Sequence, residues 1–249
     1  MDEQSAGRND VASVPVVTLF MLMSLDGKIS TGSSDERDFD KDLPQIVGVA
    51  EGLGQYYRLE QETDSFSLNT GRVLAKVGWN QPQSSIDRLP VSFVVVDTEH
   101  LSELGVRNLL ARTQRLILVT SNHRHPATHV EHPELDVVTV ASPIDFNSVF
   151  GRLAQLGVRA ITVQSGGTLN ASLVRAGLVD YVSVVVAPVL VGGSSTPTLI
   201  DGESLNLPDD LRLLQPLQLL DNIRLKNSYL HLRYAVARPN PSSAGPAQS

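Results

Sequence analysis

Val163-Gln164-Ser165-Gly166-Gly167-Thr168-Leu169-Asn170 is the stretch on which the fold turns. A β-branched apolar segment runs into paired glycines and then into Leu169, Leu173 and Val174, spaced as on one helix face. A strand turning through glycines straight into a helix is the repeating joint of an α/β sheet. The joint also suits a phosphate. Glycines admit an anion close to the backbone, and the free N–H groups of a helix start favour it by about 0.3–1 kcal/mol. The plainer reading, that Gly166 and Gly167 only make a tight turn, stands beside it. The spacing is not GxGxxG, so an ordinary dinucleotide-binding Rossmann domain is not expected.

Outward from this joint, strands are expected at Val16–Met23, Ser65–Leu68, Val91–Asp97, Arg115–Thr120, Asp136–Val140, Val158–Gln164 and Tyr181–Val191. Helical patterns separate most of them. The clearest has Asp145 as N-cap, continues through Val149, Phe150, Leu153 and Leu156, and ends at Gly157. Another opens at Asp42 and Pro44 and carries Ile46, Val49, Leu53 and Tyr56, although Gly48, Gly52 and Gly54 weaken it. At the end of the chain, Leu213–Leu225 and Tyr229–Val236 flank Lys226-Asn227-Ser228, a hairpin signal, with Pro216 near an edge or bulge. The order describes an α/β protein with a mostly parallel, mixed central sheet and a C-terminal antiparallel hairpin. One domain is expected over 15–237, with flexible tails at 1–14 and 238–249.

The 249 residues carry 20 Lys and Arg against 27 Asp and Glu, a net charge of −7, which disfavours a broad electrostatic grip on nucleic acid or an anionic membrane. There is no cysteine, so thiolate chemistry, disulfides and cysteine-held zinc are excluded. The longest apolar stretch, Val14–Met23, is about half of what a membrane span needs. Met1–Asp10 lacks the basic and apolar regions of a secretory signal, so the expected location is cytoplasmic.

Two further turns follow expected strands. In Asn69-Thr70-Gly71-Arg72-Val73, Arg72 can grip a phosphate bidentately, a bond worth about 1.5–3 kcal/mol, or can be an ordinary solvated charge. In Ser24-Leu25-Asp26-Gly27-Lys28-Ile29, Asp26 and Gly27 either make a turn or face a ligand at the carboxyl edge of the sheet. His123, His125, His129 and His132 are close in sequence, but their spacing matches no metal-binding helix face. No metal is expected, and a solvated loop is the preferred reading. Trp79 is read as a packing residue, with stacking on a flat heterocycle as the alternative.

SLDGKI near the N-terminus, TGRV about 45 residues on, LVTS in the middle, and QSGGTLNASLVRAGLVDYVSVVVAPVLVGG late in the chain resemble the riboflavin-biosynthesis reductases (RibD C-terminal domain). That family belongs to the dihydrofolate-reductase-like superfamily, and the resemblance spans Val16 to Tyr234. It implies a three-layer fold, a homodimer, and NADPH as hydride donor. It implies that Gly166, Gly167, Thr168, Leu169 and Asn170 hold the pyrophosphate, that Met23 and Ser24 lie by the nicotinamide, that Gly71 and Arg72 make a second phosphate turn, and that Thr120 and Ser121 lie on the adenosine side. His123 and Arg124 follow and can assist at the 2′-phosphate by charge alone. On the substrate side it implies Asp26, Ser34, Arg58 and Gln164, with Asp26 and Lys28 as candidates for orienting the substrate or relaying a proton.

The chain departs from the family where Gln164 replaces the usual Glu, and where the GTVxxDxP loop is replaced after Gly71. No zinc-deaminase motif precedes the domain, so a bifunctional deaminase–reductase is not expected. The leading reading is a reductase of a heterocyclic or ribosylamino-pyrimidine such as 5-amino-6-(5-phosphoribosylamino)uracil. The alternatives are an NADP(H)-binding protein of the same fold with a different pteridine-like substrate or without turnover, and an interaction protein using the Tyr181–Val191 strand as a dimer seam.

Overall fold

Alternation along one strand sets the layers. In the computed structural model, which describes residues 14–83 and 87–237, β1 (Val16–Ser24) sends Val17 and Leu19 to one face and Phe20 and Leu22 to the other. All four are buried. A strand buried on both faces must lie mid-sheet with helices on either side. It does: the order is β5-β4-β3-β2-β6-β1-β7-β9-β8. Here β2 is Phe66–Thr70, β3 Ser92–Val96, β4 Leu116–Thr120, β5 Leu135–Thr139, β6 Ala160–Val163, β7 Tyr181–Ala187, β8 Leu217–Arg224 and β9 Leu230–Val236. The strands from β5 to β7 are parallel, and β9 and β8 close the edge antiparallel. The α/β class, the mixed sheet and the terminal hairpin are as expected.

On the Val17 face lie α5 (Phe146–Gln155) and α6 (Gly167–Arg175), through Val149, Phe150, Leu153, Leu169 and Leu173. Asp145 caps α5 by accepting from the Asn147 amide. On the Phe20 face lie the short α1 (Phe39–Asp42) and α2 (Ala50–Glu60), then α3 (Gly71–Lys76) and α4 (Glu103–Arg112). Connections after β2 step toward β5, whereas the connection after β6 steps toward β7. The chain therefore reverses direction between β2 and β6, and the carboxyl edge at such a reversal is where open α/β sheets bind ligands.

Three boundaries differ from expectation. The helix expected from Asp42 is broken: Ile46 is extended and Gly48 takes φ +88°, so α2 starts only at Ala50. Gly52 is there for closeness, since a Cβ would lie 2.4 Å from the Tyr229 ring. The strand expected to Val191 ends at Ala187, because Pro188 has no N–H for the ladder. The apolar run from Leu213 pairs only after Pro216, and a register shift follows between Leu219 and Asp221. Apart from Val14, the expected tails lie outside the described residues.

Candidate functional site

Parallel strands bring their carboxyl ends to one edge, so three loops far apart in sequence meet there. The turn after β6 reaches Gly166, the N-cap of α6, which has no side-chain cap; the Asn170 amide closes the first turn on the Gly166 carbonyl at 3.1 Å. Nothing lies within 4 Å of a Cβ built on Gly166, so that side of the turn is open. On Gly167 a Cβ would meet the Thr198 carbonyl at 2.3 Å and Asp201 Oδ2 at 2.4 Å. One glycine thus leaves room for a ligand, and the other lets the 198–201 segment close over the helix start. Asn170 is fully buried: its Oδ1 accepts from the Ser165 hydroxyl at 2.6 Å and its Nδ2 donates to the Leu199 carbonyl at 2.9 Å. Its side chain ties two loops together, and Leu169 packs in the core. Thr168 is exposed beside them.

The turn after β1 holds the opposite end of the same segment. Asp26 Oδ1 accepts from the Ser24 hydroxyl at 2.6 Å and the Val191 amide at 3.1 Å, while Oδ2 accepts from the Gly192 amide at 2.7 Å. The Ser24 hydroxyl first, and then the Gly192 amide, hold the Asp26 carboxyl down at about 2. It is an ionised acceptor at neutral pH. Lys28 Nζ donates to the carbonyls of Gly193 and Thr196 at 2.7 and 3.0 Å. Both candidate catalytic side chains clasp the 191–198 loop. Met23, partly buried, packs against the core on the Val17 face, and Ser24 is buried.

The turn after β2 begins with Gly71, whose Cβ position is filled by Asp97 at 2.1 Å. Arg72 is exposed and pairs with Asp35 at 3.0 Å. Asp97 is buried and accepts from the amides of His100 and Leu101 and from His125 Nε2 at 3.0 Å. Burial works to raise its carboxyl, but these donors, led by His125, hold it below the usual carboxylate range. His125 Nδ1 accepts from the Ala127 amide, so its Nε2 carries the proton. This corrects the solvated-loop reading at one position: His123, His129 and His132 are exposed, while His125 is fully buried. No His, Asp or Glu group able to hold a metal occurs among the described residues. Thr120 is buried, with Oγ1 accepting from the Asn122 amide, and Ser121 and Arg124 lie further out. Trp79 packs against Phe93 and beneath Arg112, as a packing residue does.

Between the β2 and β6 turns runs a polar chain of hydrogen bonds. Asn69 Nδ2 donates to Ser67 Oγ, Ser67 Oγ donates to Gln164 Oε1 (2.9 Å each), and Gln164 Nε2 donates to Glu60 at the end of α2. Beside it Tyr56 stacks on Phe20 with centroids 5.1 Å apart. Burial raises the Glu60 carboxyl; the Gln164 bond opposes this and the Asp40 charge adds to it. Arg58 is exposed on the same helix, and Ser34 is exposed on the loop before α1. Glu60, Tyr56 and Asp201 carry no motif, and only the fold brings them here.

The chain matches the RibD C-terminal domain over residues 15–223. It is 31% identical over 209 residues, 80% of this chain and 90% of the relative, to the 2,5-diamino-6-ribosylamino-4(3H)-pyrimidinone 5′-phosphate reductase of Methanothermobacter thermautotrophicus. Among solved structures it resembles Acinetobacter baumannii RibD, with TM-score 0.62 and 18% identity, covering 90% of this chain and 59% of that one. It also resembles the Saccharomyces cerevisiae riboflavin biosynthesis reductase Rib7, with TM-score 0.55 and 18% identity over 93% of both chains. A reversal of strand order at the carboxyl edge and an uncapped diglycine helix start are thus found in a chain that belongs to the RibD C-terminal domain family of riboflavin-biosynthesis reductases.

Proposed function

We propose that this chain is an NADPH-dependent reductase of 2,5-diamino-6-ribosylamino-4(3H)-pyrimidinone 5′-phosphate or a closely related ribosylamino-pyrimidine, acting in the cytoplasm as a homodimer. The observation that carries this reading is the uncapped start of α6 at Gly166, open on one side and set at the carboxyl edge of the sheet in a chain 31% identical to such a reductase. The coenzyme fits: the amides at the start of α6 are free of any side-chain cap, and an anion there meets the positive end of the helix.

When bound, NADPH supplies the hydride, and the protein's task is to bind, orient and exclude water. The backbone from Gly166 to Asn170 holds the diphosphate, with Met23 and Ser24 beside the nicotinamide. Thr120 and Ser121 flank the adenosine. Arg72 leaves its surface pair with Asp35 for a coenzyme phosphate, an exchange favoured because exposed pairs contribute only about 0–1 kcal/mol. Asp26 and Lys28 act as positioning residues by fixing the 191–198 loop, and that loop carries Thr198 and Asp201 over Gly167. Gln164 presents its amide to the heterocycle, and Ser34 and Arg58 serve the ribosyl phosphate.

For the dimer, support comes from β8. It lies at the sheet edge with every residue exposed, Leu217, Leu219, Leu220 and Ile223 among them. The buried strand β7 has both neighbours already and offers no seam.

The test is NADPH oxidation followed by absorbance with the diamino-pyrimidinone nucleotide as substrate. Turnover is expected. Coenzyme binding without turnover on any ribosylamino-pyrimidine would favour the binding-protein alternative, and no thermal stabilisation by saturating NADPH would overturn the reading altogether.

A further inference from the structure

Glu60 stands out among the groups the reaction does not use. It ends α2, is half-buried, and forms no ion pair among the described residues. A carboxylate withdrawn from water without a cation is unfavourable unless donors reach it. Among the described residues one donor does, Gln164 Nε2. Gln164 is itself fixed, since its Oε1 accepts from Ser67, whose hydroxyl in turn accepts from Asn69. The amide therefore has one orientation, with its N–H toward Glu60 and its oxygen toward Ser67. Because Gln164 lies two residues before Gly166, this chain of bonds ends next to the proposed coenzyme turn. Both Glu60 and Gln164 stay partly exposed, so a ligand there can reach them. What Glu60 offers such a ligand is an acceptor.

Resting on the reductase reading, we infer that Glu60 is a specificity-determining residue that accepts from the 2-amino group of a diaminopyrimidinone and disfavours the corresponding uracil. The two heterocycles differ at that ring position by a donor and an acceptor, an amino group against a carbonyl. Opposite a carboxylate, the amino form makes a charge-assisted hydrogen bond. The carbonyl form sets two acceptors against each other and leaves both poorly solvated. Selectivity of this kind is strong because the wrong ligand leaves a buried polar group unpaired.

The experiment compares 2,5,6-triaminopyrimidin-4-one with 5,6-diaminouracil by calorimetry on the full chain, with and without NADP+, and measures kcat and KM for the two ribosyl phosphates. The wild type is expected to favour the amino form by about tenfold or more, as loss of one charge-assisted bond implies. In Glu60→Gln that preference should collapse through KM, with NADPH affinity unchanged. Glu60→Asp should keep part of it, and the transposed pair Glu60→Gln with Gln164→Glu should restore it. Unchanged melting temperature in Glu60→Asp and the transposed variant guards against a folding artefact. Equal affinity of the wild type for the two probes, binding of neither, or a preference that survives in Glu60→Gln would overturn the inference. Selective probe binding without NADPH oxidation would instead uphold it and overturn the assigned reaction.

Discussion

Arg72, Gly167 and Asp97 act through different physics and give different predictions. Arg72 is exposed and paired only with exposed Asp35, so removing it should leave stability nearly unchanged. If it meets a coenzyme phosphate that NADH lacks, Arg72→Ala should weaken NADPH binding by about tenfold or more relative to NADH, as measured by fluorescence titration. An unchanged ratio would remove Arg72 from the site. Gly167 acts by absence. Gly167→Ala puts a methyl against the Thr198 carbonyl and Asp201, and should destabilise by about 1–3 kcal/mol with a matching fall in melting temperature and coenzyme affinity. Gly166→Ala, with open space before it, is the control.

Asp97 links charge to stability. Its folded-state carboxyl titrates below the unfolded value, so its contribution is complete above about pH 4 and is lost as pH falls toward the folded value. Asp97→Asn should lose about 1.5–3 kcal/mol at neutral pH, because His125 and the 100–101 amides lose a buried ionised acceptor. The difference from wild type should narrow as pH falls through the carboxylate range in thermal melts.

Among the elements, the terminal hairpin tests turn chemistry most directly. Asn227 and Ser228 take φ +56° and +63°, the left-handed pair that sends β8 back along β9. Asn accepts that region readily and Ser does not. Ser228→Gly should therefore raise the melting temperature by a few degrees, for a gain of about 1 kcal/mol. Strand β8 leads to a different outcome. An edge strand that exposes Leu217, Leu219, Leu220 and Ile223 is a template for association unless something covers it. Leu219→Lys should shift the mass measured by light scattering from dimer to monomer at low concentration. A dimer that persists unaltered would place the interface elsewhere.

For the molecule as a whole, the strand order matters most. Because β6 inserts between β2 and β1, loops from residues 24–28, 69–72 and 164–170 share one edge of one sheet. The three motifs that look like separate turns in the sequence thus meet along one edge. The helices after β2 and β6 diverge to opposite faces, and the polar chain of buried Ser67 and Asn69 and half-buried Gln164 lies between the apolar clusters on those faces. The described residues contain no helix long and apolar enough to cross a membrane.

Local chemistry is enough to recognise the α/β class, the α5 cap at Asp145, the diglycine helix start and the closing hairpin. Each depends on neighbours within a few residues, where periodicity, glycine φ and capping operate. Packing decided the remainder. Gly52 reads as a helix defect until the Tyr229 ring, distant in sequence, is placed against it. His125 reads as one of four surface histidines until Asp97 reaches it across the end of β3. The bonds from Asp26 and Lys28 to the 191–198 loop are invisible in the sequence, because their partners lie more than 160 residues away. Glu60 has no signature at all, because its partner Gln164 lies 104 residues further along the chain and only the fold brings the two together.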